Sequence, residues 1–555
     1  MPEKLMTPQG EELLTTGATP WQVYPRPQMK RNSYVNLNGS WEFFAGDVQT
    51  DSLRVPFCPE SRLSGLEQHF PEGTPLRYRR RFTLPEGFRK DKVLLHIGAA
   101  DQVAVVSVNG KTVGSHEGGY EAFTLNITDA LCDGENLLEI DCFDDLNDRS
   151  FPYGKQVRKR GGMWYTPVSG IWQTVWLESV PEKNIQRLQI ENRGASVTVT
   201  TEPEMEGTVM VEGLGEFPLG STITPEEPHF WSPEDPYLYR FTVKTEQDRV
   251  ESYFALRTLE IKTVEGFPRL CLNGKPYFFH GLLDQGYWPD GLLTPADPGC
   301  FEQDILAMKA MGFNTLRKHI KVEPEQFYYD CDRLGMVVFQ DMVNNGDYSF
   351  IRDTALPTVG LQKLDDRSLH RDKTTRRRFL EGMEATVRQL KNHPCICYWT
   401  IFNEGWGQFD SDNVYDRMKE LDDTRFIDTT SGWFRRKKSD VESRHVYFKP
   451  ISLKGDGRPL VLSEFGGYSY KPAGHVFNVE KTYGYGKFED PESFADAVEK
   501  LYLEQVVPAF REGLCAAIYT QVSDIEDETN GLLSYDRKIT KLDRERMLAI
   551  AEKLR

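Results

Sequence analysis

From about Trp21 to Glu178 short runs alternate between apolar and polar residues and are cut by turn residues: Trp41 to Phe44, Tyr78 to Thr83, Val93 to Ile97 and Val103 to Val108. Such period-two alternation marks strands with one buried face. Asn109-Gly110 separates Val108 from Lys111-Thr112-Val113, and Asn-Gly between two alternating runs predicts a two-residue hairpin. The first domain, 1–180, is therefore predicted to be an all-β jelly roll. Ser196 to Thr200, Gly207 to Glu212 and Tyr239 to Val243 fall in a second β region, 181–262, whose length suits an immunoglobulin-like β-sandwich. Pro181-Glu182-Lys183 reads as the linker between the two.

After about Thr263 short apolar runs alternate with helical patterns. The runs are Pro276 to Leu283, Gly312 to His319, Gly335 to Met342, Cys395 to Glu404, Phe426 to Trp433, His445 to Phe448, Pro459 to Gly467 and Leu514 to Val522. Between the third and fourth, Phe379, Leu380, Met383, Val387 and Leu390 mark one helical face. Eight strands with intervening helices predict a C-terminal (β/α)8 TIM barrel over 263–555, whose chemistry belongs at the C-terminal strand ends. Arg376-Arg377-Arg378 at the start of that helix reads as a solvated face.

The chain has 555 residues, beyond the roughly 250 to 300 at which one core stops growing, which agrees with several domains. With 39% hydrophobic and 12% aromatic residues it has enough apolar surface to fill them. Acidic residues outnumber basic ones, 84 against 67, for a net charge of −17. That field repels a phosphate backbone, so nucleic acid is excluded as a partner. No run reaches the roughly 18 apolar residues of a membrane span, and Met1-Pro2-Glu3-Lys4-Leu5 is not the start of a signal peptide. A cytoplasmic protein without a membrane partner is expected, with self-association into a homo-oligomer left open. Nine cysteines without paired metal-type spacing, including Cys395 and Cys397 on one strand face, read as buried free thiols. No metal site is expected, since His393 precedes a proline at a turn and no histidine pairs closely with cysteine or a second histidine. No phosphate-binding or dinucleotide motif is present, so no cofactor is expected.

Two predicted barrel strands end in a glutamate. Tyr398-Trp399-Thr400-Ile401-Phe402 runs into Asn403-Glu404, and Val461-Leu462-Ser463 into Glu464-Phe465-Gly466-Gly467. Carboxyl groups are costly to desolvate at the ends of buried strands, and two that converge can act as proton donor and nucleophile. The stretches Asn392-His393-Pro394 to Glu404 and Val461 to Gly466 closely resemble glycoside hydrolase family 2, which contains β-galactosidases, β-glucuronidases and β-mannosidases. Ser169 to Glu178 resembles the end of that family's sugar-binding domain, Trp231-Ser232-Pro233 to Tyr239 its middle domain, and Leu272-Asn273-Gly274-Lys275-Pro276 the start of its barrel.

The resemblance implies that Glu404 is the acid/base and Glu464 the nucleophile of a retaining exo-β-glycosidase, with environments that push their pKa values apart. It implies that Asn403 bonds the sugar 2-hydroxyl and that Tyr447 supports the nucleophile. Arg317 and His319 share one face of the second strand, with Lys321 continuing it if the strand reaches that far. The family usually has the arginine three positions before the histidine, so His319 departs from its pattern. Asp341 ends strand three, either binding a sugar hydroxyl or holding Arg317. Trp406 and Trp433, near strand ends, are candidates for stacking on sugar or aglycone.

Two long loops, Val343 to about Lys373 and Phe465 to about Pro491, are expected to be functional. The second carries Tyr468, Tyr470, Phe477, Tyr483, Tyr485 and Phe488, read equally as an aglycone wall or as packing. The expected partner is a β-glycoside. A β-galactoside comes first, because Glu528-Thr529-Asn530-Gly531 lacks the lysine of the family's glucuronide-binding Asn-x-Lys pattern and lies beside Asp524, Glu526 and Asp527. The alternative is a β-hexuronide held by Arg317, His319 and Lys321. A further departure is Thr520, where relatives place a tryptophan. A transglycosylase or a silent carbohydrate-binding protein on the same scaffold would be the remaining readings, the last opposed by the presence of both glutamates.

Overall fold

Alternating burial organises the first β region as predicted. In Gly39–Ala45 the side chains of Trp41 and Phe43 turn inward while Ser40 and Glu42 face solvent. Phe43 meets Tyr78 of the paired strand Leu76–Thr83 edge to face, with ring centroids 4.9 Å apart. The computed structural model, which describes residues 4–358, 361, 365–447, 449–451 and 454–555, builds a jelly roll from two main antiparallel sheets. Met1, Pro2, Glu3 and Phe448, used in the sequence reading, lie outside the described residues. Val103–Val108 pairs with Lys111–Glu117 across Asn109 (φ 52°) and Gly110 (φ 76°), the two positive angles of a type I′ turn.

The second β region is a sandwich. One sheet contains Arg187–Arg193, Ser196–Glu202 and Thr222–Ile223; the other contains Gly215–Pro218, Gly207–Val211, Tyr239–Thr245 and Arg249–Phe254. Val197, Val199, Val209, Phe241 and Val243 fill the space between them.

All eight expected barrel strands are present, in sequence order Phe279–Asp284, Thr315–Lys318, Val337–Asp341, Ile396–Asn403, Phe426–Ser431, Glu442–Val446, Leu460–Gly466 and Leu514–Thr520. They form a parallel sheet that runs 5-4-3-2-1-8-7-6 in space, with the first and eighth strands side by side. Inside it Phe339 stacks on Tyr398 at 4.1 Å. The barrel core also takes in Trp21, Tyr165, Trp172 and Trp231 from the preceding β regions, and Leu5, Met6 and Leu13 from the start of the chain. Thr7 caps the helix Pro8–Thr16, and both its main-chain N–H and its hydroxyl bond the buried carboxylate of Asp290 on the barrel. None of the helices among the described residues is long and apolar enough to cross a membrane.

Three expectations need correction. The second strand stops at Lys318 because Ile320 is left-handed (φ 55°), so Lys321 does not continue the Arg317 face. Its ammonium turns to Glu323 at 2.9 Å and to the carbonyls of Gly286 and Leu293. The arginine run on helix Lys373–Leu390 is not uniformly solvated. Arg377 is exposed, but Arg376 donates to the carbonyls of Arg367, Leu369 and His370, and Arg378 lies 3.4 Å over the Phe151 ring and pairs with Asp148 and Glu117 of the jelly roll. Among the cysteines, Cys132 is exposed; the other eight are buried and all nine are free.

Candidate active site

Strand Ile396–Asn403 is buried along its whole length, and the chain breaks out of it at Glu404 (φ 50°) and Gly405 (φ 76°). The Trp406 N–H closes this turn on the Asn403 carbonyl at 2.8 Å, while the Glu404 N–H bonds the Ser431 carbonyl of the next strand. Glu404 thus leaves the barrel wall at its C-terminal rim. Glu464 lies within strand Leu460–Gly466, where the register slips against both neighbouring strands. Such irregularities re-aim side chains at barrel rims.

A network of side chains fixes Glu464 and its surroundings. Arg317 donates to Glu464 Oε1 (3.0 Å), to the Ser463 carbonyl (3.0 Å), to Asn403 Oδ1 (2.9 Å) and through two nitrogens to Asp341 (3.0 Å each). Asp341 Oδ2 also holds His319 Nδ1 at 2.6 Å. The Tyr447 hydroxyl donates to Glu464 Oε2, so the Thr520 hydroxyl, 3.0 Å away, donates to Tyr447. His445 Nδ1 lies 2.7 Å from Glu404 Oε1 and 3.6 Å from Glu464 Oε2, and its Nε2 is 3.2 Å from Ser431 Oγ.

Burial of Glu464 opposes its ionisation, but His445, Arg317, His319 and the Tyr447 hydroxyl outweigh it and hold the carboxyl down at about 2. Asp341 is likewise buried yet lowered, chiefly by Arg317 and then His319. Burial pushes His319 down to about 4, helped by the charge of Lys155 and opposed by Asp341.

Of the residues singled out from sequence, Arg317, His319, Asp341, Asn403, Glu404, Tyr447 and Glu464 meet in one network. Arg317 is spent on protein partners, however, and is 1% exposed, so it is a positioning group rather than a free sugar ligand. Asp341 takes its structural alternative, with both oxygens engaged. Trp433 sits at the rim, edge-on to His445 at 5.5 Å. Trp406 is buried under Trp164 of the jelly roll, stacked at 5.3 Å, so Trp164 is the more exposed ring of that wall. The aromatic loop divides: Tyr485 stacks on Tyr447 at 3.9 Å with Tyr483 beside it, whereas Tyr468, Tyr470, Phe477 and Phe488 pack against the core.

Sequence reasoning missed His445, Lys155 and Trp164. One signal was available for His445, which shares strand parity with Tyr447. Glu404, His445 and Glu464 also offer ligand atoms within 4.8 Å of one another, a three-donor set built from strands four, six and seven that chain spacing could not reveal. The Arg317 guanidinium against Glu464 disfavours a cation there.

Three family models match the chain: a glycosyl hydrolase 2 galactose-binding domain-like model over residues 42–161, a glycosyl hydrolases family 2 model over 180–257, and the glycosyl hydrolases family 2 TIM barrel domain over 264–452. Glu404 falls in the matched barrel stretch and Glu464 beyond it. A β-galactosidase of Thermoanaerobacter pseudethanolicus is 25% identical over 70% of this chain and 52% of its own length. A β-glucuronidase of Felis catus is 26% identical over 69% of this chain and 65% of its own. The chain thus spans between about half and two thirds of the length of these curated relatives. In fold it is similar to a β-D-glucuronidase from Dictyoglomus thermophilum (TM-score 0.75, 18% identity, 96% of this chain and 98% of that one) and to a β-galacturonidase from Eisenbergiella tayi (TM-score 0.69, 19% identity, 96% and 98%).

Proposed function

The chain belongs to glycoside hydrolase family 2, and on that premise we propose that it hydrolyses terminal non-reducing β-linked hexosides with retention of configuration. The observation that carries this reading is the approach of Glu404 and Glu464, which offer carboxylate oxygens within 4.8 Å of each other and share His445. Retaining enzymes hold their carboxyl groups about 5 to 5.5 Å apart, whereas inverting enzymes leave room for a water between them. Glu464, kept ionised by Arg317 and Tyr447, attacks the anomeric carbon as the bond to the aglycone oxygen breaks, and Glu404 protonates that oxygen. Glu404 then takes a proton from water, which attacks the same carbon and releases Glu464.

The second-row contacts fit these roles. His445 Nδ1 lies 2.7 Å from Glu404, and its Nε2 lies 3.2 Å from the Ser431 hydroxyl and 3.5 Å from the Arg317 guanidinium, so the imidazole links the proposed acid/base to the groups around Glu464. Asn403 Oδ1 is held by Arg317, which leaves the amide nitrogen to donate to a sugar 2-hydroxyl. The free thiols fit a reducing compartment such as the cytoplasm.

The sugar is either a neutral β-galactoside or a β-hexuronide. Repulsion by the acidic stretch favours the neutral sugar less than the sequence suggests, because those carboxylates are partnered. Asp524 pairs with Lys541, Glu526 with Arg160 and the Thr166 N–H, Asp527 with Asn478, and Glu528 with Tyr165 and Asn530. Arg317 and Lys321 in turn are committed to protein partners, so a hexuronide needs another cation.

Glu464→Gln should abolish turnover of aryl β-glycosides with the fold intact. Glu404→Gln should retain activity on good leaving groups and, with azide, yield the β-glycosyl azide. A β-configured azide product from the Glu464 variant instead would reverse the two roles.

A further inference from the structure

Among the described residues, buried cations are answered by protein groups, with one exception. Among the described residues Arg31, Arg317, Lys318, Lys321, Arg425 and Lys541 reach carboxylates, and Arg257 donates to two main-chain carbonyls. Lys155 is 7% exposed and has, among the described residues, neither a carboxylate nor a hydrogen-bond acceptor on its ammonium. Two aromatic faces are what it has: Trp406, with the ring centroid 5.5 Å away, and Tyr165, 5.7 Å away. Such contacts return about 0.5 to 2 kcal/mol, a fraction of the cost of desolvating an ammonium ion. In a chain of net charge −17 a buried lysine would find an acidic partner easily, yet the nearby acids are already paired.

Its backbone is fixed. The Lys155 carbonyl accepts from the Tyr165 N–H at 3.0 Å. The neighbouring Gln156 side chain is buried between the Tyr120 hydroxyl and the Val168 N–H. This segment of the jelly roll therefore holds an unneutralised ammonium against Trp406, two residues beyond Glu404, close enough for its charge to act on the His319 imidazole. The ammonium is not sealed from solvent.

We propose that Lys155 is a specificity-determining residue whose ammonium binds the carboxylate of a β-hexuronide held between Glu404 and Glu464. The inference rests on the glycosidase reading of the site and names its sugar. It places the anion-reading group on the jelly roll, with the Tyr165 ring between it and Glu528 of the acidic stretch after the eighth strand.

Binding is compared in the Glu464→Gln background, where ligands stay intact, by calorimetry with phenyl β-D-galacturonide, phenyl β-D-glucuronide, phenyl β-D-galactoside and 4-carboxyphenyl β-D-galactoside. Adding Lys155→Met should weaken at least one uronide tenfold or more, about 1.4 kcal/mol, and change either galactoside less than twofold. Lys155→Arg should keep most of the uronide affinity, and an unchanged unfolding midpoint would confirm that the fold is intact. Equal losses for uronides and phenyl galactoside, no loss, or no binding of either uronide at millimolar concentration would overturn the proposal. A loss confined to the carboxyphenyl galactoside would overturn it too, by moving the anion to the aglycone. Failure of the unsubstituted chain to cleave any aryl β-glycoside would sink the glycosidase reading while leaving this binding comparison valid.

Discussion

Arg317 shows what a single side chain does here: one guanidinium ties Glu464, the Asn403 amide and Asp341 into a rigid unit. Its ion pairs favour the charged form of Glu464, whose carboxyl stays ionised down to about 2. The folded value lies below the ordinary one of about 4.3. The stability this gives is therefore complete above that ordinary value and lost as pH falls toward 2. The Tyr447 hydroxyl is one of the groups responsible. Tyr447→Phe should raise the Glu464 pKa, move the acidic limb of kcat/KM to higher pH and lower its plateau roughly tenfold. An acidic limb that stays in place in the pH profile would remove Tyr447 from this role. Glu404 and Glu464 were legible from sequence because they end hydrophobic strands, whereas Asn403 and Tyr447 were named through the resemblance to glycoside hydrolase family 2. His445 offered only its strand parity with Tyr447, and gains its meaning when strands four and seven bring both glutamates to its ring.

At the scale of elements, every expected barrel strand was visible because buried strands leave short apolar runs between helical patterns. Where strands end was less visible. Ile320 carries no turn signature, yet its left-handed backbone diverts Lys321 from the site. The pairing of the acidic stretch was also hidden, because Arg160, Tyr165 and Lys541 come from distant parts of the chain. The Asn109-Gly110 hairpin, by contrast, follows from local geometry. A Cβ on Gly110 would meet nothing within 4 Å, so only the positive φ resists a side chain. Gly110→Ala should therefore cost about 1 kcal/mol in urea unfolding, with no change in KM. A cost above about 3 kcal/mol would mean that the turn is held by contacts rather than by backbone preference.

For the whole molecule, we propose a division at 1–180, 181–262 and 263–555, but the three parts are not independent in their packing. The barrel core is completed by Leu5, Trp21, Tyr165, Trp172 and Trp231 from outside it. Two of these indoles also bond barrel carbonyls, Trp21 to Pro295 and Trp231 to Asp332, each by its ring N–H. Removing residues 1–262 would uncover the surface these side chains cover and strip the buried Asp290 carboxylate of both Thr7 donors. Each large apolar side chain contributes about 1.5 to 3 kcal/mol by burial, so the loss is of order 10 kcal/mol, comparable to the whole stability of a typical domain. The mouth would also lose Lys155 and Trp164. Residues 263–555 alone should thus be inactive on every aryl β-glycoside and lack the near-ultraviolet circular dichroism of packed aromatic rings, with strong binding of a hydrophobic dye. A cooperative unfolding transition of the isolated barrel within a few degrees of the full chain would show instead that the β regions only decorate a self-sufficient core.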